Sequence, residues 1–217
     1  MKVGILFDLD GTLLDTLEDL CDAVNHTLRH FGCPERSLEE VRHFVGNGAA
    51  LLIRRALPGN FDDPPLEIAL DEFRAYYNVH CQVKTKPYPG ILQAISHLQK
   101  YPMAIVSNKP EDAVKILSQQ YFGNMAAVGD VPHCRRKPDP DNVLRAMAQL
   151  GIDRCMLVGD SEVDVATAQN AGIPCLCVTW GFRDQNTLKQ AGATHFCHDP
   201  RQLPAILNEM VGNLHVQ

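Results

Sequence analysis

The chain has 217 residues, 45% of them hydrophobic, which is enough to bury a sizeable core in one large domain or in a core with a smaller insertion. Its 20 basic and 26 acidic residues give a net charge of −6, which argues against a nucleic-acid or membrane-surface partner, and we expect neither. No apolar stretch is long enough for a signal peptide or a membrane span, so we predict a cytoplasmic protein whose eight cysteines are reduced.

The first predicted element is an apolar strand at residues 3–7 that ends on two closely spaced aspartates. Asp8 and Asp10 lie two positions apart on an extended segment, so their side chains share a face, and Gly11 permits a tight turn after them. Like charges this close raise each other's pKa, which predicts a bound cation or a reaction that needs both carboxyl groups. An EF-hand calcium loop fits poorly, because the glycine is fourth in the loop and no glutamate stands twelfth.

Residues 16–86 carry amphipathic helical patterns, at 17–31 and 50–57 among others, and no convincing strand. We therefore predict an all-helical cap domain at 16–86, inserted after the first strand and covering its end. Gly46, Asn47 and Gly48 are candidates for the cap loop nearest the site, and Arg55 is a candidate partner for a substrate carboxylate. A simple helix-entry turn and a solvated arginine remain the alternatives.

The rest of the chain alternates short apolar runs with helical patterns. Further strands are predicted at 103–106, 155–158 and 175–178, and helices near 90–100, 111–120, 140–150, 162–171, 184–191 and 200–211. Strands that are apolar on both faces and alternate with helices are typical of a parallel sheet covered on both sides. The sequence thus predicts a doubly wound, Rossmann-like α/β core formed by residues 1–15 and 87–217.

Polar residues follow the predicted strands at the sheet edge where such folds bind ligands. Ser107 and Asn108 follow the run at 103–106, with Lys109 next to them as a further candidate cation for substrate specificity. Asp160 follows the run at 155–158, and Asp164 lies one helical turn later, where a helix-dipole partner is the alternative role.

Lys137 lies just before a predicted helix start, and together with Ser107 it suggests an anion site. The two N-terminal aspartates and Asp160 suggest a cation site. Hard oxygen ligands in an incomplete protein cage suit Mg²⁺, which keeps some of its waters and accepts phosphate oxygens. The combination indicates phosphoryl transfer.

The order of "FDLDGT", "VSN", "KPDP" and "VGDSEVD" resembles the four motifs of the haloacid dehalogenase superfamily, over nearly the whole chain. The helical insertion, with "VGNGA", "SNKP" and "VTWGF", is similar to the bacterial phosphoglycolate phosphatases of that superfamily. The resemblance implies Mg²⁺-dependent hydrolysis of a small-molecule phosphate monoester through an aspartyl-phosphate. It implies that Asp8 is the nucleophile and that Asp10 is the general acid and base. It also implies that the phosphoryl group is bound by Ser107, Asn108 and Lys137, and that Mg²⁺ is held by Asp8, Asp160 and the Asp10 carbonyl. Asp164 would orient Lys137 or a metal-bound water.

Several alternatives within and beyond the superfamily differ at single positions. A dehalogenase would not need Asp10, and sugar-phosphate mutases usually carry valine where this chain has Thr12, so a phosphatase is favoured over both. The choice of 2-phosphoglycolate rests on resemblance, and sugar phosphates, nucleoside monophosphates and pyrophosphate stay open. A non-catalytic binding module would be signalled by the loss of a motif residue, and none is lost. The oligomeric state stays open.

Overall fold

The computed structural model describes residues 2–59, 65–123 and 125–216. Two sheets are present among these residues. The strands are β1 Val3–Phe7, β2 Leu14–Asp15, β3 Lys86–Pro87, β4 Met103–Pro110, β5 Ala126–Asp130, β6 Arg154–Gly159, β7 Cys175–Val178 and β8 His195–Cys197.

The larger sheet has six parallel strands in the order β5-β4-β1-β6-β7-β8. Strand β1 lies near its centre, and all five of its residues are buried because helices cover both faces. Ile5 is paired with Met103 on one side and Met156 on the other, so the ends of β1, β4 and β6 lie side by side. The predicted doubly wound α/β fold is confirmed, and its central strands place their carboxyl ends at one edge.

Ten α-helices connect and cover the strands in the described part of the chain. They are α1 Leu17–His30, α2 Leu38–Phe44, α3 Ala49–Ala56, α4 Leu66–His80, α5 Ile91–His97, α6 Glu111–Phe122, α7 Asp141–Leu150, α8 Glu162–Ala171, α9 Gln185–Gln190 and α10 Leu203–Val216. A short 3₁₀ turn, Pro200–Gln202, precedes α10. Across the described ranges, no helix combines the length and apolar character that crossing a membrane requires.

Helices α1 to α4 all lie between β2 and β3, which pair with each other antiparallel. Leu14 is opposite Pro87 and Asp15 is opposite Lys86, so the helical insertion leaves the core and returns to it at one place. Helix α1 packs mainly on α4, and both contribute fully buried side chains such as Leu28 and Phe73. This arrangement supports our proposal that residues 16–86 form a separate cap domain.

The structure differs from the predicted elements at the sheet edges and along β4. Strands β5 and β8 were not predicted, because β5 is rich in alanine and glycine and β8 has only three residues, which gives little β-propensity signal. Strand β4 continues past the predicted end at Val106 to Pro110, with a shift of register against β5. Residues 107–109 therefore lie on the irregular end of this strand.

Candidate active site

The turn after β1 brings Asp8 and Asp10 into one cavity, where both side chains line the wall. The Asp8 N–H donates to the Val158 carbonyl at 2.8 Å, which extends the parallel pairing of β1 and β6 by one residue. Gly11 adopts a φ of +86°, and a Cβ there would overlap the Asp160 carboxylate. The glycine is required both for the turn and for the close approach of Asp160.

Although they share a cavity, the two aspartates have different partners. Asp8 Oδ1 accepts a hydrogen bond from Lys137 Nζ at 2.8 Å. Asp10 Oδ1 accepts one from Thr16 Oγ1 at 2.6 Å and lies 2.9 Å from Lys109 Nζ. Each carboxylate thus has its own lysine, and the two sit in separate electrostatic environments.

Lys137 reaches the site from the loop before α7 and is 4% exposed. Besides Asp8, its ammonium donates to Asp164 Oδ1 at 2.7 Å. Burial lowers the pKa of Lys137, but Asp164 and Asp8 raise it by more, so the pKa lies above that of an ordinary lysine. The ammonium therefore stays charged in the cavity.

Asp164 occupies the third position of α8, where a capping box fixes it. Ser161 accepts from the Asp164 N–H, and Asp164 Oδ2 accepts from the Ser161 N–H at 3.2 Å and from its hydroxyl at 2.6 Å. Both carboxylate oxygens are thereby engaged, one by Lys137 and one by Ser161. Asp164 thus caps its helix and contacts Lys137.

Asp160 lies at the end of β6 and is 1% exposed. Its Oδ2 accepts from the Phe182 N–H at 2.6 Å, and its Oδ1 lies 3.4 Å from the Thr12 hydroxyl. Burial, with the nearby Asp8 and Asp164, raises the pKa of Asp160 well above its usual range. Burial likewise raises the pKa of Asp8 to about 7, against the opposing effect of Lys137.

One carboxylate oxygen from each of Asp8, Asp160 and Asp164 lies within 4.8 Å of the other two. Among the described residues, the direct ammonium partner of this cluster is Lys137, which contacts Asp8 and Asp164 but not Asp160. Such a surplus of buried negative charge is stabilised by a bound cation or by protonation of a carboxylate. The raised pKa values of Asp8 and Asp160 mean that these groups are more readily protonated when no cation is bound. The cluster could hold a metal ion, and the Asp10 side chain is not part of it.

Ser107 and Asn108 are both buried and line the same cavity. The Asn108 amide donates to the Lys137 carbonyl at 2.9 Å and to the Gly46 carbonyl at 3.1 Å, and its Oδ1 accepts from the Lys137 N–H at 2.8 Å. Its side chain therefore holds the Lys137 segment and the cap loop. The Ser107 hydroxyl accepts from the Lys109 N–H at 3.2 Å and keeps its own proton available as a donor.

Lys109, predicted as a further candidate cation for substrate specificity, is buried between core and cap. Its ammonium lies beside Asp10 and donates to the Tyr77 hydroxyl of α4 at 2.6 Å. It also lies 4.5 Å from the centre of the Tyr77 ring. No sequence signal pointed to Tyr77, because its spacing in α4 matches an ordinary core position.

The cap loop predicted nearest the site lines the cavity through Gly46 and Gly48, whereas Asn47 is not among the lining residues. A Cβ at Gly48, where φ is +87°, would press on the Asn108 carbonyl and the Arg136 side chain. Arg55, the candidate partner for a substrate carboxylate, is not among the residues that line the cavity. Its exposed guanidinium donates to the Phe44 carbonyl at 2.8 Å and to Asn47 Oδ1 at 2.9 Å, so it braces the loop from outside.

Arg183 is a lining residue that the sequence analysis missed, although it directly follows the quoted "VTWGF". Its guanidinium donates to the Arg42 and Val45 carbonyls of the cap at 2.9 and 2.7 Å, and to Glu162 of α8 at 2.9 Å. The core thereby binds main-chain atoms of the cap. Main-chain acceptors leave no residue-type signal in a sequence, which is why this contact could not be predicted.

The upper wall of the cavity is apolar and comes mainly from the cap. Its lining side chains are Leu20, Val45, Ala49, Leu52, Phe73 and Phe182. The cavity encloses about 60 Å³ in this arrangement, and the polar side chains of the core, such as Asp8, Ser107 and Lys137, form the rest of its wall. A small polar ligand would thus lie between a charged floor and an apolar roof.

Residues 5–178 match the family model of the haloacid dehalogenase-like hydrolases. The chain is 39% identical over 191 residues to a phosphoglycolate phosphatase of Pseudomonas putida, covering 82% of this chain and 70% of the relative. It is 36% identical over 212 residues to the phosphoglycolate phosphatase of Pseudomonas syringae pv. tomato, covering 92% and 77%.

Solved structures show the same similarity. A candidate phosphoglycolate phosphatase from Lactobacillus delbrueckii subsp. bulgaricus superimposes with a TM-score of 0.86 at 32% identity, covering 94% of this chain and 97% of that one. A candidate phosphatase from Clostridium acetobutylicum gives a TM-score of 0.84 at 28% identity, covering 96% and 98%.

Proposed function

The chain belongs to the haloacid dehalogenase-like hydrolase family, and we propose that it is a Mg²⁺-dependent phosphatase that hydrolyses 2-phosphoglycolate through an aspartyl-phosphate. The observation that carries this proposal is the separation of the two aspartates: Asp8 lies with Lys137 in the acidic cluster, and Asp10 lies apart with Thr16 and Lys109. Two carboxyl groups in one cavity but in different environments suit a nucleophile and a proton carrier.

Asp8 is the proposed nucleophile. Its carboxylate oxygen would attack phosphorus while the bond from phosphorus to the ester oxygen breaks, leaving a phosphoryl group on Asp8. Lys137, 2.8 Å from Asp8, would bind an equatorial phosphoryl oxygen and reduce the repulsion between two anions. Asp164 would keep the lysine in that position through its 2.7 Å contact.

Asp10 is the proposed general acid and base. A proton on its carboxyl group would pass to the departing ester oxygen, and the carboxylate would then take a proton from the water that hydrolyses the phosphoryl-aspartate. Thr16 and Lys109 fix the orientation of this carboxyl group. Inorganic phosphate leaves, and Asp8 is free for the next substrate.

Beside Lys137, Ser107 and Asn108 are proposed to bind the phosphoryl group, Ser107 directly and Asn108 through its neighbours. The Ser107 hydroxyl proton is a donor for a phosphoryl oxygen, and the Asn108 side chain acts indirectly, since it holds the Lys137 main chain and the Gly46 carbonyl. The apolar roof would exclude water while the phosphoryl group is transferred.

The donor set fits Mg²⁺, because buried, hard carboxylate oxygens are in excess over neighbouring cations. We propose that Asp8, Asp160 and the Asp10 carbonyl hold the ion, and that Asp164, whose oxygens are both engaged, does not. When bound, the ion would neutralise negative charge on the phosphoryl group and on Asp8.

The direct test is release of inorganic phosphate from 2-phosphoglycolate, sugar phosphates, nucleoside monophosphates and pyrophosphate, each with Mg²⁺ and with excess chelator. We expect metal-dependent release with 2-phosphoglycolate strongly preferred. Preference for another ester would overturn the substrate, and release that is equal with and without metal would overturn the Mg²⁺ site. Absence of release from every ester would overturn the phosphatase.

A further inference from the structure

Lys109 occupies an unusual place, where the core, the cap and the acid-base carboxyl group meet. It extends from the irregular end of β4, lines the cavity and is 6% exposed. Its two close partners are Asp10 of the core and Tyr77 of the cap. An ammonium has three N–H donors, so one remains for a further acceptor.

Lys109 and Lys137 have corresponding positions, because each contacts one of the two catalytic aspartates proposed above. Lys137 lies beside Asp8, shares its ammonium between two protein acceptors and is proposed to bind the phosphoryl group. Lys109 lies beside Asp10 and likewise has two protein acceptors. Because Asp10 must reach the ester oxygen to protonate it, Lys109 lies on the side of the cavity that receives the leaving group.

Apart from the Tyr77 hydroxyl, the cap contributes mainly apolar side chains to the cavity that Lys109 lines, among them Leu20, Leu52 and Phe73. Among the described lining residues the third cation, Arg183, already donates to the two cap carbonyls and Glu162. An anionic group on the substrate would be buried without a partner unless Lys109 met it, and such burial is costly.

From this geometry we propose that Lys109, held in place by its hydrogen bond to Tyr77, recognises a carboxylate on the leaving group and so selects 2-phosphoglycolate. This inference rests on the proposed function and assigns the choice of substrate to one side chain. In 2-phosphoglycolate the carboxylate is bonded to the carbon that carries the ester oxygen. An ester oxygen within reach of Asp10 therefore brings the carboxylate next to the Lys109 ammonium, 2.9 Å from Asp10.

The charge state of Lys109 is consistent with this role. Burial lowers its pKa, but Asp10 and Tyr77 raise it by more, so the pKa lies above that of an ordinary lysine. Burial also raises the pKa of Tyr77, which keeps the phenol neutral and able to accept from the lysine. A permanent cation in an apolar wall discriminates strongly between a carboxylate and a neutral group of similar size.

The test compares kcat/KM for 2-phosphoglycolate and for 2-hydroxyethyl phosphate, which has a hydroxymethyl group in place of the carboxylate. The wild-type enzyme should prefer 2-phosphoglycolate, and Lys109→Met should reduce the ratio of the two values by roughly 10- to 100-fold, mainly through KM. Any loss that arises from disturbing Asp10 affects both esters alike and cancels in the ratio. Lys109→Arg should restore part of the preference.

Two controls keep the result interpretable if Lys109→Met is unstable. Tyr77→Phe leaves the lysine in place and removes its second acceptor, and we expect a drop in the ratio of about threefold. Inhibition by inorganic phosphate, which has no carboxylate, should change by a smaller factor than KM for 2-phosphoglycolate in each variant, because Asp8, Ser107 and Lys137 are unaltered. A ratio that stays at the wild-type value in Lys109→Met and in Tyr77→Phe would overturn the role of Lys109 alone. A wild-type ratio near one would overturn the 2-phosphoglycolate assignment itself, and with it the inference.

Discussion

The floor of the cavity is lined by charged side chains, whereas its roof is lined mainly by apolar ones. On the floor, the buried side chains of Asp8, Asp160 and Lys137 line the cavity, and charge-assisted hydrogen bonds join Lys137 to Asp8 and to the buried Asp164 behind them. The roof, formed mainly by the cap, presents aliphatic and aromatic side chains. Asn108 and Arg183 cross to the cap by donating to its main-chain carbonyls, and Lys109 crosses by donating to the Tyr77 hydroxyl.

This difference separates the chemistry from the choice of substrate. Buried charges fix each other's positions, so a change on the floor alters several groups at once. An apolar wall contributes mainly shape and exclusion of water, and it can be altered without disturbing the charges below. We therefore expect floor variants to lose turnover, and variants at the outer cap to lose little. Variants of Lys109 and Tyr77, which lie where the core meets the cap, should change the preference between substrates.

The largest expected effect follows from removing the nucleophile on the floor. Asp8→Asn should lower kcat by roughly 10⁴-fold or more, whereas Asp10→Asn should lower it by about 10²- to 10⁴-fold. Mixed with substrate, Asp10→Asn should gain the mass of one phosphoryl group, and Asp8→Asn should not, as intact-mass measurement would show. Phosphorylation of Asp8→Asn, or its full activity, would refute the covalent route.

The next effect concerns the charge surplus on the floor. Since burial raises the pKa of Asp8 to about 7, this group is increasingly protonated below pH 7, and a cation must displace that proton to bind. Stabilisation by Mg²⁺ should therefore grow as the pH rises from about 5.5 to 8. At a hundred times its dissociation constant the ion adds about 2.7 kcal/mol, which raises Tm by several degrees.

Thermal unfolding with MgCl₂ and with NaCl of equal ionic strength measures this effect. Asp160→Asn should abolish most of the Mg²⁺-specific shift. A shift of equal size at both pH values, or a larger one at the lower pH, would show that Mg²⁺ binds somewhere other than this cluster.

The smallest expected effect belongs to the outer cap. Arg55 and its neighbour Arg54 are both exposed, and only Arg55 braces the loop at Phe44 and Asn47. We expect Arg55→Ala to change kcat/KM for 2-phosphoglycolate by about twofold at most and to cost less than about 1 kcal/mol of stability, with Arg54→Ala as the neutral control. A tenfold rise in KM confined to Arg55→Ala would mean that this arginine contacts the substrate after all.

Predictions from the sequence succeeded where the signal was local. The strand at residues 3–7 and the one at 175–178 have the predicted bounds, because continuous apolar runs mark strands buried on both faces. The helix at 162–171 also matches, since a capping box at Ser161 and Asp164 marks its start. The edge strand β8 and the end of β4 were missed because neighbouring strands, rather than local pattern, stabilise them.

The same division holds for the site. The sequence by itself determined that Asp8, Asp10 and Asp160 lie at the carboxyl edge of a parallel sheet, because residue type and position after a strand are local properties. Only the tertiary structure decided that Asp10 is paired with Lys109, that Tyr77 and Arg183 reach the cavity, and that Arg55 does not. These contacts join segments tens of residues apart, and several end on main-chain carbonyls. Their formation depends on how the cap packs on the core, which no short stretch of sequence encodes.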